Sequence, residues 1–170
     1  MQSIDIANAF IARHGYEIEI TNLKLNKLVY YAHVESIRQG NGPLFDDAVE
    51  AWQYGPVEPS VYHTFKTSGR QRIEQPSSKP KKSDSVKKII SLVAETYGKL
   101  SAFDLVTFSH REGGAWSRVY SPGADNPITV ADIMASDDMD GFPGVSGTIV
   151  NALDDVAKSI PNTLRLLENS

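Results

Sequence analysis

The chain has no cysteine among its 170 residues, which excludes disulfides, thiolate metal sites and cysteine nucleophiles together. It also has no long apolar run: none approaches the roughly 20 residues needed to cross a bilayer. The N-terminal Met1-Gln2-Ser3-Ile4-Asp5 carries neither the basic start nor the apolar stretch of a signal peptide. Aromatics are sparse at 9%, and the most basic stretch of the chain has none. What remains is ordinary for a globular protein, with 41% hydrophobic and 22% charged residues, enough to close a core without staples. The expectation is a single-domain, soluble, cytoplasmic protein.

Signatures of catalysis are missing too. The four histidines, His14, His33, His63 and His110, are never three to five residues apart, so no helix offers a metal-binding pair. Gly40-Asn41-Gly42 lacks the third glycine and following helix of a dinucleotide loop, and there is no Walker loop. Gly144-Val145-Ser146-Gly147 misses a nucleophile elbow, because Gly147 comes one place early. The sequence implies no catalytic residue, no cofactor and no metal, although a triad assembled from distant residues is recognised only in space.

The net charge of −4 is unevenly spread. Residues 1–65 carry −4, residues 66–88 carry +6 and residues 89–170 carry −6. The basic island is built from Lys66, Arg70, Arg72, Lys79, Lys81, Lys82, Lys87 and Lys88. Its middle, 71–82, has one aliphatic residue and two prolines, so 70–84 reads as a mobile loop. A phosphate-binding strip is the alternative, weakened by the lack of aromatics on which bases would stack. The acidic surplus falls in an extension, 136–170, where Asp137, Asp138 and Asp140 are followed by Asp154 and Asp155.

The dominant period is helical. Ser3 is the expected cap of a first helix with Ile4, Ala7, Phe10 and Ile11 on one face. Tyr16–Ile20 alternates briefly, as a short strand or extended entry. Thr21 or Asn22 opens a helix from Leu23 to about Gln39 that is apolar on more than one side and so belongs at the centre. Residues 48–54 read as a strand ended by Gly55-Pro56, and Pro59 starts a short helix. Ser83 or Asp84 caps a helix with Val86, Ile89, Ile90, Val93 and Tyr97 on its apolar face. Capping boxes follow at Ser101–Asp104 and Thr129–Asp132, and residues 148–160 form an amphipathic helix. The fold class is mostly α (α+β): a compact helical domain around a buried central helix, with a small antiparallel β element.

Three local features have two readings each. Trp52 and Tyr54 beside Gly55-Pro56 are either core aromatics at a sharp bend or an exposed hot spot for a protein partner. His110 with Trp116 reads as a structural histidine at a helix C-terminus, favoured when protonated, rather than a proton-transfer group. Lys24 and Lys27 either pair with a carboxylate such as Glu50 or Glu58 or stand solvated.

The run Leu23-Lys24-Leu25-Asn26-Lys27-Leu28-Val29-Tyr30-Tyr31-Ala32-His33 resembles the signature helix of the Panacea, or SocA-like, antitoxin domain, a family formerly grouped as phage-associated proteins. The resemblance continues through Gly42–Asp46, Glu50-Ala51-Trp52-Gln53-Tyr54-Gly55-Pro56-Val57, Ser60–Lys66 with Val61 and Tyr62, and then Leu105…His110 and Trp116. It covers about residues 5–135 in the family's order, within a domain of 1–135. Asn26 and His33 stand where glutamine is commoner, and Ala115 where proline often precedes the tryptophan. The resemblance implies an antitoxin that neutralises a cognate protein toxin by direct binding, with no catalytic residues to carry over. The alternatives are an adaptor delivering the toxin to an ATP-dependent protease and, less favoured, a nucleic-acid-binding regulator. Candidate partner-binding residues are Tyr62 and Phe65 on the helical surface, and Asp137, Asp138 and Asp140 reaching outward from the extension with Phe142 as anchor.

Overall fold

The computed structural model describes residues 1–143. Helix α1 spans Ser3–His14 and α2 spans Asn22–Arg38. Thr21 caps α2 through a side-chain oxygen that accepts from the Lys24 amide at 3.3 Å, satisfying one of the free donors of the first turn. Leu25, Leu28, Val29 and Ala32 are fully buried, and Tyr30, Tyr31 and Val34 nearly so, because apolar residues occur all round this helix. Around it pack α1, α3 (Pro59–Phe65), α4 (Asp84–Tyr97), α5 (Ala102–Ser109) and α7 (Val130–Met134). A short α6 covers Ala115–Val119. The expected apolar face of α4 is buried as its spacing requires, and Ser83 is its cap. Both expected capping boxes form, with Asp104 and Asp132 accepting from the Ser101 and Thr129 amides at 2.8 Å each.

The β element is larger than the sequence suggests. Strands β1 (Val49–Trp52) and β2 (Gly55–Val57) form an antiparallel hairpin, so Gly55-Pro56 opens a second strand rather than ending the first. A third strand, β3 (Asn126–Ile128), pairs on the far side of β1, giving the order β2-β1-β3. Three residues with a central proline carry too little pattern to be seen in a sequence. Tyr16–Ile20 forms no strand; it is a turn and extended chain that buries Ile18 and Ile20. Ser3 lies inside α1 and not at its cap, where Gln2 stands with its amide donating to Asp5 Oδ2 at 3.0 Å.

The basic loop, without helix or strand, makes specific contacts: Ile73 is buried, its amide donating to the Ile20 carbonyl at 2.8 Å. Asn8 holds Ser77 and Ser78 at 2.8 and 2.9 Å, Lys81 pairs with Asp5 at 2.8 Å, and Arg72 bonds the Gly15 carbonyl. One buried aliphatic and a set of polar ties fasten the loop along α1. Beyond residue 136, Asp137–Asp140 form a 3-10 turn against α2 and α7. Asp138 is 4% exposed and does not reach outward. It accepts from the Tyr30 hydroxyl at 2.5 Å and pairs with Arg111 at 2.6 Å, because a carboxylate that close to a cation and a phenol is held in the core. Phe142 packs edge-on against Tyr97 and Phe108, at 5.1 and 5.3 Å between centroids, and does not stand outward as an anchor. Asp137 and Asp140 are exposed. The amphipathic helix expected at 148–160 lies outside the described residues.

Candidate functional site

The hairpin, the start of α2, the end of α3 and the start of α5 enclose an open cleft of about 970 Å³. Leu23, Trp52, Tyr54, Phe103, Tyr120 and Pro122 give it apolar walls. Trp52 and Tyr54 take up neither expected extreme: both are half-buried and line the cleft. Trp52 is fixed from three sides. Its indole N–H donates to Glu50 Oε2 at 2.7 Å, its ring meets Tyr62 edge-on at 4.9 Å, and its carbonyl accepts from the Trp116 indole at 2.8 Å. Ordered aromatics with little rotamer freedom left are what a protein-binding surface needs, since little entropy remains to be lost on docking.

The floor beneath the hairpin is polar and fully desolvated. Gly55 sits at φ +101°, and a Cβ there would come within 2.4 Å of Ser109 Oγ and 2.8 Å of Lys27 Cε, so only glycine fits. Lys27 is 0% exposed and donates from Nζ to the Pro56 carbonyl at 2.9 Å; burial pushes its ammonium down to about 7. Lys24 is also buried and donates to the Gly98 carbonyl at 2.8 Å. The expected pairing of these lysines with Glu50 or Glu58, and their solvation, are therefore both incorrect: backbone carbonyls take the ammonium groups. Glu58 instead caps α3, accepting from Ser3 Oγ at 2.5 Å, Ser60 Oγ at 2.6 Å and the Val61 amide at 2.9 Å.

His110 stacks on Trp116 with centroids 3.7 Å apart and planes 2° from parallel, and Trp116 stacks in turn on Tyr120 at 4.4 Å. Burial, with Lys27 adding to it, pushes the imidazole down to about 3, so it is neutral where the sequence suggested a charged helix terminus. Neither ring nitrogen meets a hydrogen-bond partner among the described residues. The neutral ring packs face to face on Trp116, whose indole holds the Trp52 carbonyl. No group of three or more His, Asp or Glu side chains among the described residues is placed to hold a metal ion, and none of their helices is long and apolar enough to span a membrane.

Of the motif residues, Trp52, Tyr54 and Tyr62 line the cleft; Lys27 with Gly55 and Pro56, and His110 with Trp116, are buried contacts behind the hairpin, and Leu25, Leu28, Tyr31 and Val61 belong to the core. Tyr62 lines the cleft, but Phe65 is 5% exposed and faces the interior. Leu23, Phe103 and Tyr120 were not anticipated as site residues. Phe103, half-buried at the start of an otherwise apolar helix, was the available signal.

Residues 25–117, from α2 through Trp116, match the model of the antitoxin SocA-like, Panacea domain. Antitoxin SocA of Caulobacter vibrioides is 30% identical over 179 residues, covering 94% of this chain and 95% of that protein. No solved structure matches. With that match spanning more than half of the chain and that relative nearly all of it, the chain belongs to the antitoxin SocA-like, Panacea domain family.

Proposed function

We propose that this protein is an antitoxin that neutralises a cognate protein toxin by direct binding, with the aromatic cleft as the docking surface. The observation that carries the reading is the cleft itself: half-buried Trp52, Tyr54 and Tyr62 line a concave, apolar-walled space, with Trp52 held by Glu50 and by the edge of Tyr62. Tryptophan and tyrosine dominate binding hot spots because they bury much area from few torsions. Asp137 and Asp140, exposed on their turn, remain candidate contributors at a second edge of the interface.

The test uses purified toxin, taken as the protein encoded by the neighbouring reading frame, and its own activity assay. Stoichiometric antitoxin without protease or ATP should abolish toxicity. Ala102→Trp, which fills the cleft from the first turn of α5, should raise the concentration needed by at least about tenfold while the melting temperature holds. Inhibition that appears only with an ATP-dependent protease present would replace masking with delivery for degradation. Unchanged inhibition by Ala102→Trp would remove the cleft from the interface.

A further inference from the structure

The cleft differs in charge from the rest of the molecule. The chain carries −4, and residues 1–65, which supply much of the cleft, also carry −4. Yet among the described residues the charged side chains of the lining are Lys66, Arg70 and Asp125. Their positions are ordered. Lys66 directly follows α3, four residues after Tyr62, so the two stand about one helical turn apart. Trp52 packs edge-on against Tyr62. The wall therefore runs from aromatic pair to cation, and Lys66 is exposed at its end. Asp125, contributed by the segment before β3, gives the lining its one negative charge.

Resting on the docking role proposed above, we infer that the cleft takes a single toxin segment in which a large apolar side chain is followed at short spacing by a carboxylate. The apolar group packs in the cleft against the Trp52–Tyr62 pair, and the carboxylate meets Lys66. The spacing follows from the wall. About 5–6 Å separates side chains three or four places apart on a helix, and about 6.6 Å separates those two places apart in an extended chain. Asp125 disfavours a second carboxylate beside it, so the segment carries its acid asymmetrically. An aromatic surface alone binds apolar groups indiscriminately; a cation one turn beyond it selects by sign and fixes direction.

The test is selection of a phage-displayed library of random 12-residue peptides on the full chain and, separately, on its Lys66→Glu variant. The full chain should enrich peptides with Trp, Phe or Leu two to four positions from Asp or Glu. The variant should enrich Lys or Arg at the same spacing. A synthetic peptide of the selected consensus should bind the variant about tenfold more weakly than the parent, and its Asp→Lys counterpart should recover the loss. An apolar consensus without acidic bias, or the same consensus on both chains, would overturn the inference. So would a consensus found only after Leu153→Asp and Val156→Asp, since the chain's own tail would then be the occupant. Failure of the docking reading looks different: the acidic bias would appear, yet Ala102→Trp would leave toxin neutralisation unchanged.

Discussion

Replacing Lys27 with methionine should flatten the dependence of stability on pH between neutrality and about pH 9.5. Lys27 lies wholly within the core, with one carbonyl acceptor, and burial lowers its ammonium from 10.5 to about 7. The unfolded chain holds that proton up to the ordinary lysine range, while the folded chain releases it near 7. Between those limits the unfolded state binds more protons, so stability rises with pH and is lost as pH falls back towards 7. At 1.36 kcal/mol per unit, the full span is worth about 5 kcal/mol, and the two units from pH 7.5 to 9.5 about 3 kcal/mol. Methionine keeps the length and apolar stem but has no proton to bind. It also removes the donor to the Pro56 carbonyl, a pH-independent loss of about 1–2 kcal/mol. Burial raises the phenols of Tyr30, Tyr31 and Tyr97, so their ionisation costs stability only above the ordinary tyrosine range, outside this window. The imidazole of His110 acts below it, at acid pH. Urea unfolding at half-unit intervals from pH 7.5 to 9.5 reads the slope for both chains. Parallel curves, offset but with equal slopes, would refute a neutral lysine in the core.

Three further outcomes follow from the same contacts. Glu58→Ala removes the α3 cap and the acceptor of the Ser3 and Ser60 hydroxyls, and should cost about 2–3 kcal/mol by chemical denaturation; a loss under about 0.5 kcal/mol would contradict the cap. Asp138→Asn leaves Arg111 buried without its carboxylate and should cost about 3–5 kcal/mol, while Asp140→Asn at an exposed position stays within about 0.5 kcal/mol. Equal melting temperatures for the two variants would contradict the buried pair. Asn8→Ala releases Ser77 and Ser78, so limited trypsin treatment should cut at Lys81 and Lys82 several-fold faster than in the parent, and an unchanged rate would mean that other ties hold the loop.

The helices were legible because each carried its own punctuation. Thr21, Ser83, Ser101 and Thr129 mark starts that any reader of caps would find, and the apolar spacing of α4 names its buried face. The cleft was only half legible. Trp52 and Tyr62 stand out as aromatics, but that they meet Phe103 and Tyr120 depends on pairings across the chain that no local pattern encodes. The lysines were misread for a related reason. Sequence reasoning seeks opposite charges, whereas Lys24 and Lys27 are met by main-chain oxygens, which every residue possesses. Asp138 deceived in the same direction: an aspartate among aspartates looks solvated until Arg111 and Tyr30 are seen beside it.

The bond from the Trp116 indole to the Trp52 carbonyl has a spectroscopic consequence. These are the chain's two tryptophans, and both stand at one site. Trp52 forms the cleft wall, so a segment docking there changes the polarity around its ring. Trp116, held between His110 and Tyr120, is shielded from that change. The intrinsic emission of the unlabelled protein is thus split into a sensing and a reference fluorophore. Substituting Trp116 with phenylalanine leaves the sensing signal alone for titration.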